Sequence, residues 1–254
     1  MTLRVFATLG RTFVFGLRHF PAFFLLCLLA NLPTVLYGLL RPESFQAAMM
    51  GGASWETDLM TAVEVMLLGL VTAVMVHTRL RDQQGESWTV LPAIGDTVEY
   101  LPTVLGVSFC IAVGVTLLSV LTDVLGTITP ILALIPFLIM AVLALIFTVV
   151  MPSAALDNGG VVDCFGQSAA LSQGSRLRII AVYILFFIPV AIAGAVLIGV
   201  FAPDMSRAEL PVSTYLYLVP IGNVFFFALP VIMHEQLAGL DEGIELSETA
   251  AVFD

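Results

Sequence analysis

One carboxylate lies well inside an apolar stretch: Glu64, within the run Leu59–Thr78. A charge at membrane depth is costly, so an acid there marks an ion, proton or substrate pathway by default. Glu64 is only about two turns from one end of its run, and simple reach to the interface is the competing reading. In the last apolar run, Pro220, Asn223 and Pro230 stand close together. A proline that frees a backbone carbonyl beside a buried amide is one way a broken helix holds a ligand. Kinks and interhelical hydrogen bonds are the commoner use of such residues, and of Asn31, Pro33, Pro136 and Pro189. Glu64, Asn223 and Pro220 are the candidate substrate- or lipid-binding residues.

His19, His77 and His234 each stand at the same end of an apolar run, where three imidazoles at one depth could hold a metal or a pigment. None has a second His or Cys at ligand spacing, so capping and headgroup contact are expected instead. Cys27, Cys110 and Cys164 have no disulfide or metal spacing and read as small packing residues. There is no phosphate-binding glycine loop, nucleophile elbow or zinc signature, and Ser172 has no identifiable base. No catalytic residue, cofactor or metal is expected.

The elements that must position these residues follow from composition. Of 254 residues, 59% are hydrophobic and 11% charged, where soluble domains carry roughly 25% charged residues. Such a chain cannot cover itself with polar surface in water, whereas a bilayer accepts the apolar area directly. All nine basic residues are Arg, and the net charge is −10. Six acids fall between Glu235 and Asp254, and no basic patch exists for nucleic acid.

Six runs are long enough to span: Phe20–Leu40, Leu59–Thr78, Leu101–Thr122, Ile131–Met151, Ile179–Pro203 and Leu210–Met233. All are continuous rather than alternating, so they predict helices. The first keeps no small-residue cleavage site after it and is expected to remain as a span. With the N-terminus inside, seven arginines (Arg4, Arg11, Arg18, Arg79, Arg81, Arg176, Arg178) are cytoplasmic, and only Arg41 and Arg207 lie opposite. An even span count returns the C-terminus to the cytoplasm.

An internal repeat organises the chain into units of about 1–80, 86–156 and 160–240, followed by an acidic tail, 241–254. Each unit opens with an amphipathic segment. In the first, Val5, Leu9, Phe13 and Leu17 predict an apolar face, with Arg4, Thr8, Arg11 and Arg18 off it. The second starts at Trp88 and puts Leu91, Ile94, Val98 and Leu101 on one stripe. The third runs from Val161 through Phe165 and Ala169. A glycine follows an apolar residue in each: Gly10, Gly95, Gly166. Each exit carries an Asp followed closely by Gly, at His77–Gly85, Pro152–Gly159 and His234–Gly243. Small residues from Gly106 to Gly114 and from Ala191 to Gly199 predict close helix approach.

Two stretches carry a resemblance: Val150-Met151-Pro152-Ser153 with Ser168-Ala-Ala-Leu-Ser172-Gln-Gly174-Ser-Arg176-Leu-Arg-Ile-Ile180, and the tail from Gly243 to Asp254. The chain resembles bacterial integral membrane proteins related to the membrane domain of glycerophosphoryl diester phosphodiesterase. That resemblance implies six spans with interfacial helices in the bacterial inner membrane. It also relates Asp157 to the group's acidic residue after the proline, although the local sequence departs from the pattern. No long polar segment is present to form the soluble phosphodiesterase barrel, and no activity carries over.

The expected protein is an all-α integral membrane protein with about six transmembrane helices. They form three repeated units of interfacial amphipathic helix plus helical hairpin, in one membrane domain with both termini cytoplasmic. Its expected role is non-catalytic: scaffold or accessory subunit of a membrane complex, with membrane lipids and other membrane proteins as partners. The alternatives are a transporter or lipid-handling protein, and a membrane sensor for a separate phosphodiesterase.

Overall fold

The computed structural model describes residues 4–49, 55–85, 90–129, 131–156, 159–201, 216 and 218–253. Trp88, Asp157, Pro203, Arg207 and the start of the last run at Leu210 lie outside these residues. The described elements are all helical: α1 (Val5–Arg18), α2 (Phe20–Leu40), α3 (Pro42–Met49), α4 (Trp55–Gln83), α5 (Val90–Glu99), α6 (Leu101–Ile128), α7 (Leu134–Ile146), α8 (Val150–Leu156), α9 (Val161–Ser172), α10 (Arg176–Phe201) and α11 (Val219–Phe253).

Five segments are long and apolar enough to cross a membrane: α2, α4, α6, the α7–α8 pair and the Val219–Gly239 part of α11. The pair α9 and α10, bent by 90°, passes the same test only when taken together, so the number of crossings is five, or six with that pair. Within that pair α10 supplies the length, with 26 residues and no charge beyond Arg178.

Local chemistry sets the joints between short helices and spans. Pro21 and Pro102 sit in the first turns of α2 and α6. A proline there lacks only an amide hydrogen that would be unpaired anyway, and it disfavours helix continuing into it. The α9–α10 bend uses Gly174 instead, at φ +81°, a left-handed conformation that costs glycine little.

The boundaries differ from those predicted. Helix α4 extends about a turn beyond its apolar run at each end. The predicted fourth span, Ile131–Met151, is two helices broken at Phe147–Val149. The carbonyl of Ile146 freed by this break accepts from both Ser168 (3.2 Å) and Ser172 (3.1 Å) of α9. Helix α11 continues unbroken through the exit at His234 and along the acidic tail.

The second helices of the hairpins, α4, α8 and α11, pack on one another at the centre. Around them α2 lies against α4 and α11, and α6 against α4 and α8. The short helices α5 and α9 pack on the hairpin before them, on α4 and α8, while α1 packs on the last helix, α11. The last contact runs lengthwise and antiparallel, since Thr8 meets Gln236 while Gly16 meets Val224 and Phe225.

The three glycines prove useful reference points. Two residues before and after each, the chain is buried: Thr8 and Thr12, Ala93 and Thr97, Cys164 and Ser168. Four residues before each, a large apolar side chain is about 80% exposed: Phe6, Leu91 and Val162. Leu91, Ile94 and Val98 form an exposed apolar stripe on the predicted side of α5.

Of the predicted α1 face, Val5, Leu9 and Phe13 pack against the bundle while Leu17 is exposed, and the most deeply buried positions are the neighbouring Thr8, Thr12, Phe15 and Gly16. Threonine can be buried here because Thr12 donates to the carbonyl of Thr8 (2.9 Å) and Thr8 reaches Gln236 Oε1 (2.9 Å), leaving no hydroxyl unsatisfied.

Candidate functional site

The arginine-rich end of the bundle holds a belt of ion pairs. His19 donates from Nε2 to Asp82 Oδ2 at 2.9 Å, with both side chains about 95% buried or more, and Arg18 approaches the same oxygen at 3.7 Å. Arg79 grips Glu235 with two hydrogen bonds, 2.8 and 3.0 Å, and lies over the Phe15 ring. Arg11 adds a longer contact to Glu235, 3.9 Å. Arg81 holds Asp96 in the same two-pronged way, 2.7 and 3.0 Å. The planar guanidinium matches a carboxylate fork, and each pair joins separate helices. Arg11 and Asp96 both directly follow a reference glycine; Asp96 pairs with the exit of the preceding hairpin and Arg11 with that of the last one.

The Arg81 guanidinium, bonded to Asp96, holds that carboxyl below the usual carboxylate range. A depressed folded-state value contributes stability above the ordinary value and loses it as pH falls through the depressed one. Asp96 is 39% exposed, which limits such a pair to at most about 1 kcal/mol. Asp96→Asn should therefore lower the thermal midpoint slightly at pH 7. That difference from wild type should begin to shrink as pH falls below the ordinary carboxylate value and vanish only once pH passes the depressed one. An equal difference at pH 7 and below the depressed value would contradict the pairing.

Of the histidines, His19 stands at a capping position between α1 and α2, as expected, but it and His77 are withdrawn from headgroup contact. His19 and His77 are buried, and His77 packs on the Tyr100 ring at 5.2 Å. Burial follows from the short helices folding back over the hairpin exits. Among the described residues no group of three His, Cys, Asp or Glu side chains could hold a metal ion.

Of the candidate residues, Glu64 accepts a hydrogen bond from Thr34 Oγ1 at 2.6 Å, tying α2 to α4. One hairpin turn further out, Tyr37 donates to Glu56 at 2.8 Å. Pro220 is buried in α11, and Asn223 has an amide nitrogen buried without a protein partner. Asn31 donates to the Cys27 carbonyl at 2.6 Å and leaves its own oxygen unpaired.

Two apolar clefts lie elsewhere and involve none of these three candidates. The larger, about 780 Å³, separates α7 from α10. It is lined by Ala141, Ala144 and Leu145 on one side and by Ile180, Tyr183, Ile184, Phe187, Ile188 and Ala191 on the other, with Phe226 of α11 behind. Among its lining side chains only Tyr183 is polar, and its hydroxyl is bonded to that of Thr148. The smaller, about 270 Å³, runs between α6 and α7 past Cys110, Gly114 and Phe165.

Both clefts exist because packing stops. Helix α10 meets α11 through rings rather than backbone approach, with Phe186 and Phe226 centroids 6.5 Å apart and Phe187 and Phe226 6.0 Å apart. Residues predicted to bring helices together act differently here. Gly106 allows close approach by Val161, but Gly114 and Ala191 line open space. The signal available in the sequence was small residues on facing helices, Ala141, Ala144 and Ala191. That pattern alone does not separate a contact from a gap. No family model, curated protein or solved structure matches the chain.

Proposed function

We propose that this chain is a non-catalytic, lipid-handling membrane protein of the bacterial inner membrane, and that the α7–α10 cleft holds an acyl chain. The volume and apolar lining of that cleft carry the reading. A space of about 780 Å³ is within the range of small-molecule sites. Its walls offer an aqueous ligand almost no hydrogen bonds, whereas hydrocarbon fits them without loss. In this reading the three glycine-centred helices, with their shared pattern of buried and exposed positions, are three repeated units. The arginine-rich end faces the cytoplasm together with both termini.

The test is native mass spectrometry of the protein released from its own membrane in mild detergent. One lipid per chain should survive on the wild type. Ala141→Trp, on an exposed wall of the cleft, should displace it while leaving the thermal midpoint within a few degrees. A wild-type chain that emerges without lipid sinks the proposal.

A scaffold or accessory role is the second reading, supported by the exposed apolar residues Phe6, Leu91 and Val162 on three short helices. It predicts a stoichiometric protein partner in the same spectra. A phosphodiesterase as that partner would favour a sensor role, for which only the sequence resemblance speaks.

A further inference from the structure

The larger cleft has a defined length and a defined mouth. On α10 its lining residues, Ile180, Tyr183, Ile184, Phe187, Ile188 and Ala191, recur every three or four positions and so form one helix face. From Ile180 to Ala191 that face is about 16 Å long at 1.5 Å per residue. One leaflet of hydrocarbon is about 15 Å thick, half of a ~30 Å core. The cleft is therefore as long as one acyl chain of one leaflet.

One turn before Ile180 the same face carries Arg176, four positions earlier, and Leu177, which is 82% exposed. Arg178, two positions from Ile180, points to the other side of the helix. Arg176 differs from the belt arginines in its pairing. Arg11, Arg18, Arg79 and Arg81 each contact a carboxylate. Among the described residues no carboxylate lies within ion-pair distance of Arg176. The first turn of α10 contains no acid, and its helix dipole presents the positive end here.

We infer that the cleft selects an anionic phospholipid of the arginine-side leaflet, with one acyl chain along α10 and its phosphate at Arg176. This rests on the lipid-handling reading and adds the headgroup class and the residue that recognises it. A cation over an apolar slot of acyl length matches a lipid in both parts, whereas a soluble phosphate would use only the first. The Tyr183–Thr148 hydroxyl pair lies about two turns further in and is already mutually satisfied. It therefore does not compete for the headgroup.

The experiment uses the whole protein in nanodiscs of equimolar phosphatidylglycerol and phosphatidylcholine, with retained lipid identified by native mass spectrometry. A basic side chain near the membrane surface is worth about 1 kcal/mol toward anionic lipid, about fivefold. Wild type should retain phosphatidylglycerol about fivefold over phosphatidylcholine. Arg176→Gln should retain a lipid with a ratio near one, while Arg178→Gln on the opposite face keeps the preference. Excess inorganic phosphate should leave the ratio unchanged. A retained lipid with no preference in wild type, or a preference that survives Arg176→Gln, overturns the headgroup assignment and leaves the cleft reading standing. Wild type with no retained lipid overturns both. Displacement of the lipid by inorganic phosphate overturns the commitment to a membrane-borne ligand.

Discussion

Asp82→Ala should destabilise the protein by about 3 kcal/mol, between the cost of an unsatisfied buried donor and that of an orphaned buried charge. The carboxylate is 5% exposed, and removing it strands the His19 Nε2 donor, itself 2% exposed. The His19 ring lies against those of Phe15 and Phe23, which also touch each other, all at 5.3–5.4 Å spacings, so its surroundings offer it aromatic rings rather than another acceptor. Thermal unfolding in detergent would show the loss as a midpoint lower by roughly 2–4 °C per kcal/mol for a chain of this size. His19→Phe combined with Asp82→Leu should recover most of the stability. Both polar groups are then gone, and a phenyl ring continues the existing stack. If the double variant is as unstable as the sum of the singles, the two side chains are not coupled in the way their geometry requires.

The second large effect is expected at Gly69. A Cβ placed there would collide with Ser108 Oγ and sit 2.8 Å from Met151 Cε, so α4, α6 and α8 meet at this one position. Met151 can swing aside. Ser108 is held by its 2.7 Å bond to the Val104 carbonyl. Gly69→Val should therefore force α4 and α6 apart and cost at least the 1–3 kcal/mol typical of overpacking. The penalty falls where membrane helices depend most on close contact between small residues. Gly69→Ala should be milder and should be rescued in part by Ser108→Ala, which removes the shortest contact. The measurement is the yield of monodisperse protein together with the unfolding midpoint. A Gly69→Val protein that purifies and melts like wild type would mean that the three helices do not meet as described.

Which features were legible in the sequence follows from the kind of signal each leaves. The spans were readable because hydrocarbon demands about 20 apolar residues in a row, a property of composition alone. Their ends were less readable. Helix continues past the apolar run wherever the next residues are good helix formers, as from Thr78 to Gln83, and stops early where a turn such as Phe147–Val149 finds partners in Ser168 and Ser172. The most deeply buried positions of α1 were not legible because threonine counts as polar in a hydrophobic pattern, although its hydroxyl can be satisfied by the helix's own carbonyls.

The ion-pair belt left no local trace. His19 pairs 63 positions away and Arg79 pairs 156 positions away, so the sequence shows the charges without their partners. The cleft is the hardest case, since it is a gap between helices that touch elsewhere along their length. A missing contact has no periodicity. Glu64 was conspicuous for the opposite reason: a lone acid in an apolar run stands out, while its Thr34 partner is inconspicuous.

The closure of α1 onto α11 has a consequence for how the protein is made. At 5–20 residues per second, α1 emerges roughly 10–40 s before residues 224–236 of α11 exist to cover it. During that interval Thr8 and Gly16 lack their α11 neighbours, Gln236, Val224 and Phe225. The outward stripe of Phe6, Val14 and Leu17 lets the waiting helix rest against lipid. A lesion in the last hairpin should therefore first become visible to proteolysis at the opposite terminus.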